Sequence, residues 1–184
     1  VFTTMPPATF RYAMNFTNIK LLFVGEADNW DTIKDEIPAD VKVVSLPGVE
    51  VKEADYTFDA FLALGIDTAM PAHPDPEAPI TIVFTSGTTG MPKGVVHSLR
   101  TLNAAVSAIA TFSGPQTRFL SYLPLAHLGD RAAVVFHAAK VGGRLTFNGG
   151  ADTFAADMTA AAPTFLMGVP RIWEKLLQGV LLKA

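Results

Sequence analysis

The chain has 184 residues, enough for one domain with a substantial core, and 49% of its residues are hydrophobic. Its formal net charge of −3, without a basic stripe, argues against a nucleic-acid partner, and the absence of cysteine excludes disulfides, thiolate metal sites and thiol nucleophiles within it. Polar residues interrupt each apolar run before the roughly 20 residues that a membrane-spanning helix needs. The composition therefore predicts an α/β protein whose mostly parallel sheets are flanked by helices.

The first part of the chain, residues 1–66, alternates between helical and extended patterns. Pro7 stands near the first position of a predicted helix, where a missing N–H is tolerated, and Gly25 and Gly48 follow predicted strands. The order helix, strand, helix, strand predicts a parallel sheet built by crossover connections. The predicted helices are 7–17, 28–37 and 56–64, and the predicted strands are 19–24 and 41–46.

Residues 67–79 contain four prolines and are predicted to form an extended surface connection. They separate residues 1–66 from a second segment, residues 80–184, in which strands and helices alternate again. Ser98 is predicted to cap a helix with an apolar face, and Pro170 to start a last helix. The predicted strands are 80–85, 95–97, 119–123, 144–147 and 164–167; the predicted helices are 98–112, 131–140, 151–161 and one from Pro170 that buries Trp173, Leu176, Leu177 and Val180.

One loop, directly after the strand 80–85, combines three glycines, several hydroxyl groups and one lysine. Glycines let a backbone approach a ligand closely, and successive N–H groups can then form a concave anion site. Hydroxyl groups donate to phosphate oxygens, and a lysine adds a mobile positive charge. The pattern therefore predicts a phosphate-binding loop. Its residues are Thr85, Ser86, Gly87, Thr88, Thr89, Gly90, Met91, Pro92, Lys93 and Gly94.

Two other interpretations of this loop are weaker. A Walker A loop needs G-x-x-x-x-G-K-[ST], but counting from Gly87 places Pro92 at the second glycine and Gly94 after the lysine. A P-loop nucleotide hydrolase is therefore disfavoured. An ordinary glycine-rich hairpin turn would use the same residue types, although it would not need the full set of hydroxyls together with Lys93.

The loop T-S-G-T-T-G-M-P-K-G resembles the signature loop of the adenylate-forming superfamily, which contains acyl-CoA synthetases, luciferases and peptide-synthetase adenylation domains. Two further segments resemble its long-chain fatty acyl-CoA synthetase branch. They are L-P-L-A-H at 123–127 and V-P-R-I-W-E-K at 169–175. The resemblance implies part of the large N-terminal domain of the adenylate-forming fold. It spans most of the chain, more loosely over residues 1–70.

The resemblance also implies a reaction and a set of residue roles. A fatty acid carboxylate attacks the α-phosphate of Mg²⁺-bound ATP to give an acyl-adenylate, and CoA then displaces AMP. Lys93 and Thr88 are implied as the catalytic contacts, and His127 is implied near the junction of acyl group and adenylate. Asp130 takes a position where the family more often has Glu, and Arg131 is expected to be structural. For His127, a structural role at a strand-to-helix turn is the alternative. Contact with ATP phosphates is implied for Thr85, Ser86, Gly87, Thr88, Thr89, Gly90, Lys93 and Gly94.

The implied partners are small molecules, namely a fatty acid, ATP and CoA, and the histidine spacing predicts no His-based metal site. We expect a fragment of a longer cytoplasmic protein, because the family's Mg²⁺-binding Glu segment, ribose-binding Asp segment and C-terminal domain lie outside this sequence. Little adenylation is expected from the fragment alone. Peripheral membrane contact and oligomer formation stay open, as do two alternatives: transfer of the acyl group to a carrier protein, and a non-catalytic ATP- or phosphate-binding module.

Overall fold

The computed structural model describes residues 5–26, 28–65, 69, 75–85 and 92–181. The chain divides into two compact units, one made of Val1–Asp75 with Ile82–Val96 and the other of Pro76–Thr81 with His97–Ala184. The predicted proline-rich connection 67–79 falls largely outside the described residues, so the predicted domain boundaries stay predictions.

Helices and strands make up the described part, and three of its strand pairs are parallel. The described part also contains a 3-10 turn, Lys34–Glu36, and a π-helix, Arg131–Phe136. The helices are α1 Pro7–Thr17, α2 Trp30–Ile33, α3 Phe58–Ala63, α4 Leu99–Ala110, α5 Leu128–Asp130, α6 His137–Val141, α7 Phe154–Ala161 and α8 Pro170–Leu181. The strands are β1 Leu21–Val24, β2 Lys42–Ser45, β3 Tyr56–Thr57, β4 Pro79–Thr85, β5 Lys93–Ser98, β6 Arg118–Ser121 and β7 Arg144–Phe147.

The first unit contains the three-stranded sheet β1-β2-β3, in which both strand pairs are parallel, as predicted. Leu21 lies opposite Lys42, and Val24 lies opposite Ser45. Helix α1 has the predicted bounds, begins with Pro7 and ends at Asn18, whose left-handed backbone closes the last turn. The buried residues of this unit include Phe10, Ala13 and Met14 on α1 and Val24, Trp30, Val43 and Val51 around the sheet.

The predicted helix 56–64 is wrong at its start, because Tyr56 and Thr57 form a short strand beside β2. Helix α3 begins only at Phe58, where the Thr57 hydroxyl accepts a hydrogen bond from the Ala60 N–H at 3.3 Å. Two residues of strand are too few to leave a periodic pattern in the sequence. Their pairing with β2 therefore decides their conformation.

The second unit is built on the parallel pair β6 and β7, with Arg118 opposite Arg144 and Ser121 opposite Phe147. Phe119 is completely buried and packs with Val134 and Ala138. The predicted strand 164–167 is reduced to a single bridge between Phe119 and Phe165, while β7 has the predicted bounds. Three short helical segments, Leu128–Asp130, Arg131–Phe136 and His137–Val141, follow β6 after the connecting residues 122–127.

Helix boundaries in the second unit reflect local capping. Ser98 caps α4 as predicted: its hydroxyl accepts from the Thr101 N–H, and the Thr101 hydroxyl accepts from the Ser98 N–H. The helical run predicted for 131–140 begins three residues earlier, at Leu128, because His127 acts as its cap. None of the helices in the described ranges combines the length and the hydropathy needed to cross a membrane.

The predicted buried face of α8 is wrong for two of its residues, since Trp173 is 48% exposed and Leu177 is 60% exposed. The Trp173 indole N–H donates to the Gly168 carbonyl at 3.0 Å. The ring therefore lies against the turn before the helix. A Cβ at Gly168 would come within 2.6 Å of this ring, so the turn requires glycine here.

Candidate functional site

The two ends of the predicted phosphate loop are described, and they lie close together. Thr85 is the last residue of β4 and Lys93 is the first residue of β5. The Thr85 hydroxyl donates a hydrogen bond to the Lys93 carbonyl at 3.4 Å. Strands β4 and β5 form a two-stranded sheet, so the chain leaves and returns at one place. The predicted contacts in between lie outside the described residues; they are Ser86, Gly87, Thr88, Thr89 and Gly90.

The charged group of the loop, the Lys93 ammonium, makes no hydrogen bond or ion pair with any described residue. The lysine is exposed, at the first position of β5. A lysine held by its backbone in a strand, with its ammonium free of contacts to the described residues, can turn toward a bound anion without breaking a bond to any of them. Its surroundings therefore suit the predicted role, which no contact in the structure tests directly.

Gly94 follows the lysine, and packing explains why this position holds a glycine. A Cβ here would lie 3.1 Å from Ile82 Cγ2 and 3.2 Å from Phe16 Cε1. Both contacts are tighter than side chains normally make. Gly94 therefore lets β5 approach its neighbours closely, while its contact with ATP stays a prediction.

His127, the second candidate, lies in the other unit, at the start of the helical run that follows β6. Its N–H donates to the Pro124 carbonyl at 2.8 Å, which closes a turn. Its ring Nδ1 accepts a hydrogen bond from the Gly129 N–H at 3.1 Å, so the imidazole caps α5. The residue itself is exposed. His127 thus has a structural partner on one ring nitrogen and an accessible second nitrogen.

A buried carboxyl group lies three residues after this histidine. Asp130 is completely buried, and its Oδ2 lies 2.5 Å from the Ser121 hydroxyl, which donates to it. Ser121 is the last residue of β6 and is itself buried. The pair joins the end of the strand to the start of the helical run and so closes the segment 122–129 at its base.

Arg131 holds the same segment from a second side. Its Nε donates to the Leu125 carbonyl at 2.8 Å, and one terminal nitrogen donates to the Thr81 hydroxyl on β4 at 2.6 Å. Burial lowers the pKa of this guanidinium below its usual value, although a guanidinium stays protonated in proteins. Among the described residues, no carboxylate lies within ion-pair distance of Arg131. Both described acceptors of Arg131 are neutral, so these hydrogen bonds fix the position of the segment and do not neutralise the charge of the guanidinium.

Tyr122 and Met167 complete this region. The Tyr122 hydroxyl donates to the Met167 carbonyl at 2.9 Å. Its pKa is raised, first by burial and then by the nearby Asp130. A Cβ at Gly129 would lie 2.9 Å from Met167 Cε and 3.0 Å from His127 Nδ1, so only glycine leaves room for the imidazole as it stands.

The sequence marked His127, Asp130 and Arg131 but missed the role of Ser121. A serine at the end of a buried strand, followed nine residues later by an aspartate, is the available signal, and it is weak on its own. In the described ranges, no group of three histidine or acidic side chains is arranged to hold a metal ion.

The sequence model of the AMP-binding enzyme family matches residues 1–184, the whole chain. The chain belongs to this family. The chain is 30% identical over 200 residues to the long-chain-fatty-acid–CoA ligase ACSBG2 of Mus musculus. This alignment covers 96% of the chain and 30% of the relative. The chain is 31% identical over 199 residues to the peroxisomal long chain acyl-CoA synthetase 7 of Arabidopsis thaliana, covering 98% of the chain and 28% of the relative.

The chain therefore spans about 30% of the length of each of these two relatives. Its fold is similar to that of the A-PCP didomain of carboxylic acid reductase from Segniliparus rugosus, solved in complex with AMP. The TM-score is 0.76 at 21% identity, over 100% of this chain and 30% of that one. The predicted membership of the adenylate-forming superfamily and the predicted α/β fold class are both confirmed.

Proposed function

We propose that the protein containing this chain is a long-chain fatty acid–CoA ligase that first forms an acyl-adenylate. The observation that carries the proposal is the family match over the whole chain, joined to the geometry of the loop ends. Curated relatives at 30% and 31% identity are named as long-chain acyl-CoA ligases or synthetases, which supports a fatty acid as the substrate.

In the first step, a carboxylate oxygen of the fatty acid attacks the α-phosphorus of ATP. The bond from that phosphorus to the bridging oxygen of pyrophosphate breaks, and an acyl-adenylate forms. A carboxylate is already a nucleophile, so this step asks the protein for positioning and charge stabilisation more than for proton transfer. Mg²⁺ enters with ATP as part of the substrate.

In the second step, the CoA sulfur attacks the acyl carbonyl, the bond to the phosphate oxygen of AMP breaks, and the thiol proton is released. We assign Lys93 and Thr88 to the phosphates of ATP in the first step, together with the rest of the loop from Thr85 to Gly94. His127 is assigned to the acyl–adenylate junction. Two described features support these roles: Lys93 is exposed and its ammonium contacts none of the described residues, and His127 is exposed.

The expected contribution of Lys93 follows from its charge. A lysine about 4 Å from a phosphate is worth roughly 1 kcal/mol in water and roughly 4 kcal/mol at an effective dielectric constant of 20. Removing the ammonium should therefore slow adenylation by about 5- to 1,000-fold, with the larger loss if the loop is covered when ATP binds.

The test is carboxylate-dependent exchange of labelled pyrophosphate into ATP. It is measured with palmitate and Mg²⁺ on the full-length protein that contains this chain. Lys93→Ala and Thr88→Ala should lose most of the exchange. Lys52→Ala is a matched control, because Lys52 is exposed, lies in the same unit and makes no side-chain hydrogen bond or ion pair with a described residue. Absence of fatty-acid-dependent exchange in the parent protein at every chain length would refute the proposal. Thioester formation with CoA, compared with a carrier protein, then tests the acceptor.

A further inference from the structure

We propose that Arg131 is a positioning residue for His127, and that it keeps the imidazole as a donor, through Nε2–H, to an anionic oxygen of the carboxylate substrate or its adenylate. The inference rests on the proposed function for its catalytic consequence. Its structural half, the link between Arg131 and the protonation pattern of His127, stands on the described contacts alone.

One hydrogen bond fixes the ring of His127. Nδ1 accepts a hydrogen bond from the Gly129 N–H at 3.1 Å, so this nitrogen must carry a lone pair. A neutral imidazole has one N–H, and its proton then lies on Nε2. Nε2 makes no hydrogen bond with a described residue, and His127 is exposed. The ring therefore offers one donor to a ligand, and its direction is set by the capping bond on the opposite nitrogen.

Arg131 contacts the backbone turn that carries this ring. The capping bond requires the extended backbone of His127, with φ −85° and ψ 123°, directly before the helical run. The turn that leads into it contains Leu125, whose carbonyl accepts from Arg131 Nε at 2.8 Å. The same guanidinium donates to Thr81 at 2.6 Å, a residue of a strand. The planar, rigid guanidinium of Arg131 therefore links the turn to Thr81 on β4.

The two acceptors explain why position 131 holds an arginine. Leu125 and Thr81 offer two neutral oxygens, and no carboxylate among the described residues pairs with the guanidinium, so its two hydrogen bonds account for its place. A guanidinium reaches two acceptors in one plane, whereas an ammonium cannot reproduce that fork. The geometry is that of a clamp on the turn before His127.

The experiment measures carboxylate-dependent pyrophosphate exchange on the complete protein in which Arg131 is replaced by Met or Lys. Arg131→Met should lower kcat/KM for the fatty acid by about 10- to 100-fold, since a misplacement of about 1 Å costs this much. The KM for ATP should change by less than about twofold. Thr81→Val, which removes one acceptor, should give a smaller loss in the same direction.

Two comparisons separate positioning from general damage. Arg118→Met is a matched control, because Arg118 also donates from Nε to a backbone carbonyl, that of Ala162 at 2.7 Å, away from the His127 turn. Arg131→Met should also have no further effect in a His127→Ala background, because a residue that acts through the imidazole has nothing left to position. An equal loss in both backgrounds overturns the proposal, and so does an equal loss in Arg118→Met.

A spectroscopic measurement tests the structural half without activity. In protein labelled with ¹⁵N-histidine, the His127 resonances, identified by their loss in His127→Gln, should show a single tautomer with the proton on Nε2. Arg131→Met should mix the tautomers, and Arg118→Met should not. A His127 ring protonated on Nδ1, or unchanged by Arg131→Met, overturns the inference. If the parent shows no exchange, the proposed function fails, and this spectrum still decides the link between Arg131 and His127.

Discussion

Replacing Gly143 by alanine should destabilise the second unit more than any alanine placed at a neighbouring glycine. Gly143 lies between α6 and β7, and a Cβ there would stand 2.6 Å from Phe119 Cε2 and 2.8 Å from the Thr117 carbonyl oxygen. Carbon atoms normally approach to about 3.5–4.0 Å, so the ring contact is short by about 1 Å.

Neither neighbour of Gly143 can move cheaply. Phe119 is completely buried, and its ring centroid lies 4.9 Å from that of His137 and 5.3 Å from that of Phe165. The Thr117 carbonyl accepts the Arg144 N–H at 2.9 Å, at the start of the β6–β7 pairing. Overpacking a core costs about 1–3 kcal/mol. We expect Gly143→Ala to lie at the upper end, about 2–3 kcal/mol of lost unfolding free energy.

Two other glycines give a graded comparison in the same assay. Gly142 has open space around its Cβ position but a left-handed φ of 67°, so alanine should cost about 1 kcal/mol there. Gly114 has open space and no left-handed φ, so alanine should be neutral or slightly stabilising. Urea unfolding of the three variants should rank Gly143 as the most damaging. Equal stability of the Gly143 and Gly142 variants would show that the packing argument is wrong.

Three further predictions rest on polar contacts. Ser121→Ala should cost about 1–3 kcal/mol by leaving the buried Asp130 carboxyl without its described partner, and adding Asp130→Leu should recover part of the loss in urea unfolding; full additivity of the two changes would contradict this. The Asp157 pKa is held below its usual 3.8 by hydrogen bonds from the Gly149 N–H, the Thr153 hydroxyl and the Asn148 amide. Its stabilisation should be complete above about pH 4 and be lost as pH falls through the lowered pKa, so the difference in Tm between wild type and Asp157→Asn should shrink below pH 4 and not above it. Ser98→Ala should cost about 1 kcal/mol by removing the cap of α4, and an unchanged denaturation midpoint would exclude a role for that cap.

Elements with a strong local signal could be predicted from the sequence. Pro7 starts α1, and Ser98 caps α4, because each residue acts on its own backbone or on the next turn. The structure departs from prediction where distant contacts decide. Tyr56 is extended because β2 lies beside it, and Trp173 is half exposed because it bonds to the turn before its own helix.

The candidate site divides in the same way. The composition of the Thr85–Gly94 loop predicts phosphate chemistry, since each residue type has a direct use there. The contact of Arg131 with Thr81 could not be predicted, because a separation of 50 residues along the chain carries no periodic signal. Pairing of Ser121 with Asp130 likewise depends on where a strand ends relative to a helix.

The π-helix Arg131–Phe136 has a consequence for how this chain tolerates insertions and deletions. Such a segment accommodates more residues per turn than an α-helix, and one deletion could return it to α-helical winding. Each residue of an α-helix advances by about 100°, so the deletion would turn the following side chains away from their present directions. Arg131 at the start of the segment and the buried His137 directly after it could then no longer both keep their contacts. Chains of this family should therefore keep the length of this segment nearly constant.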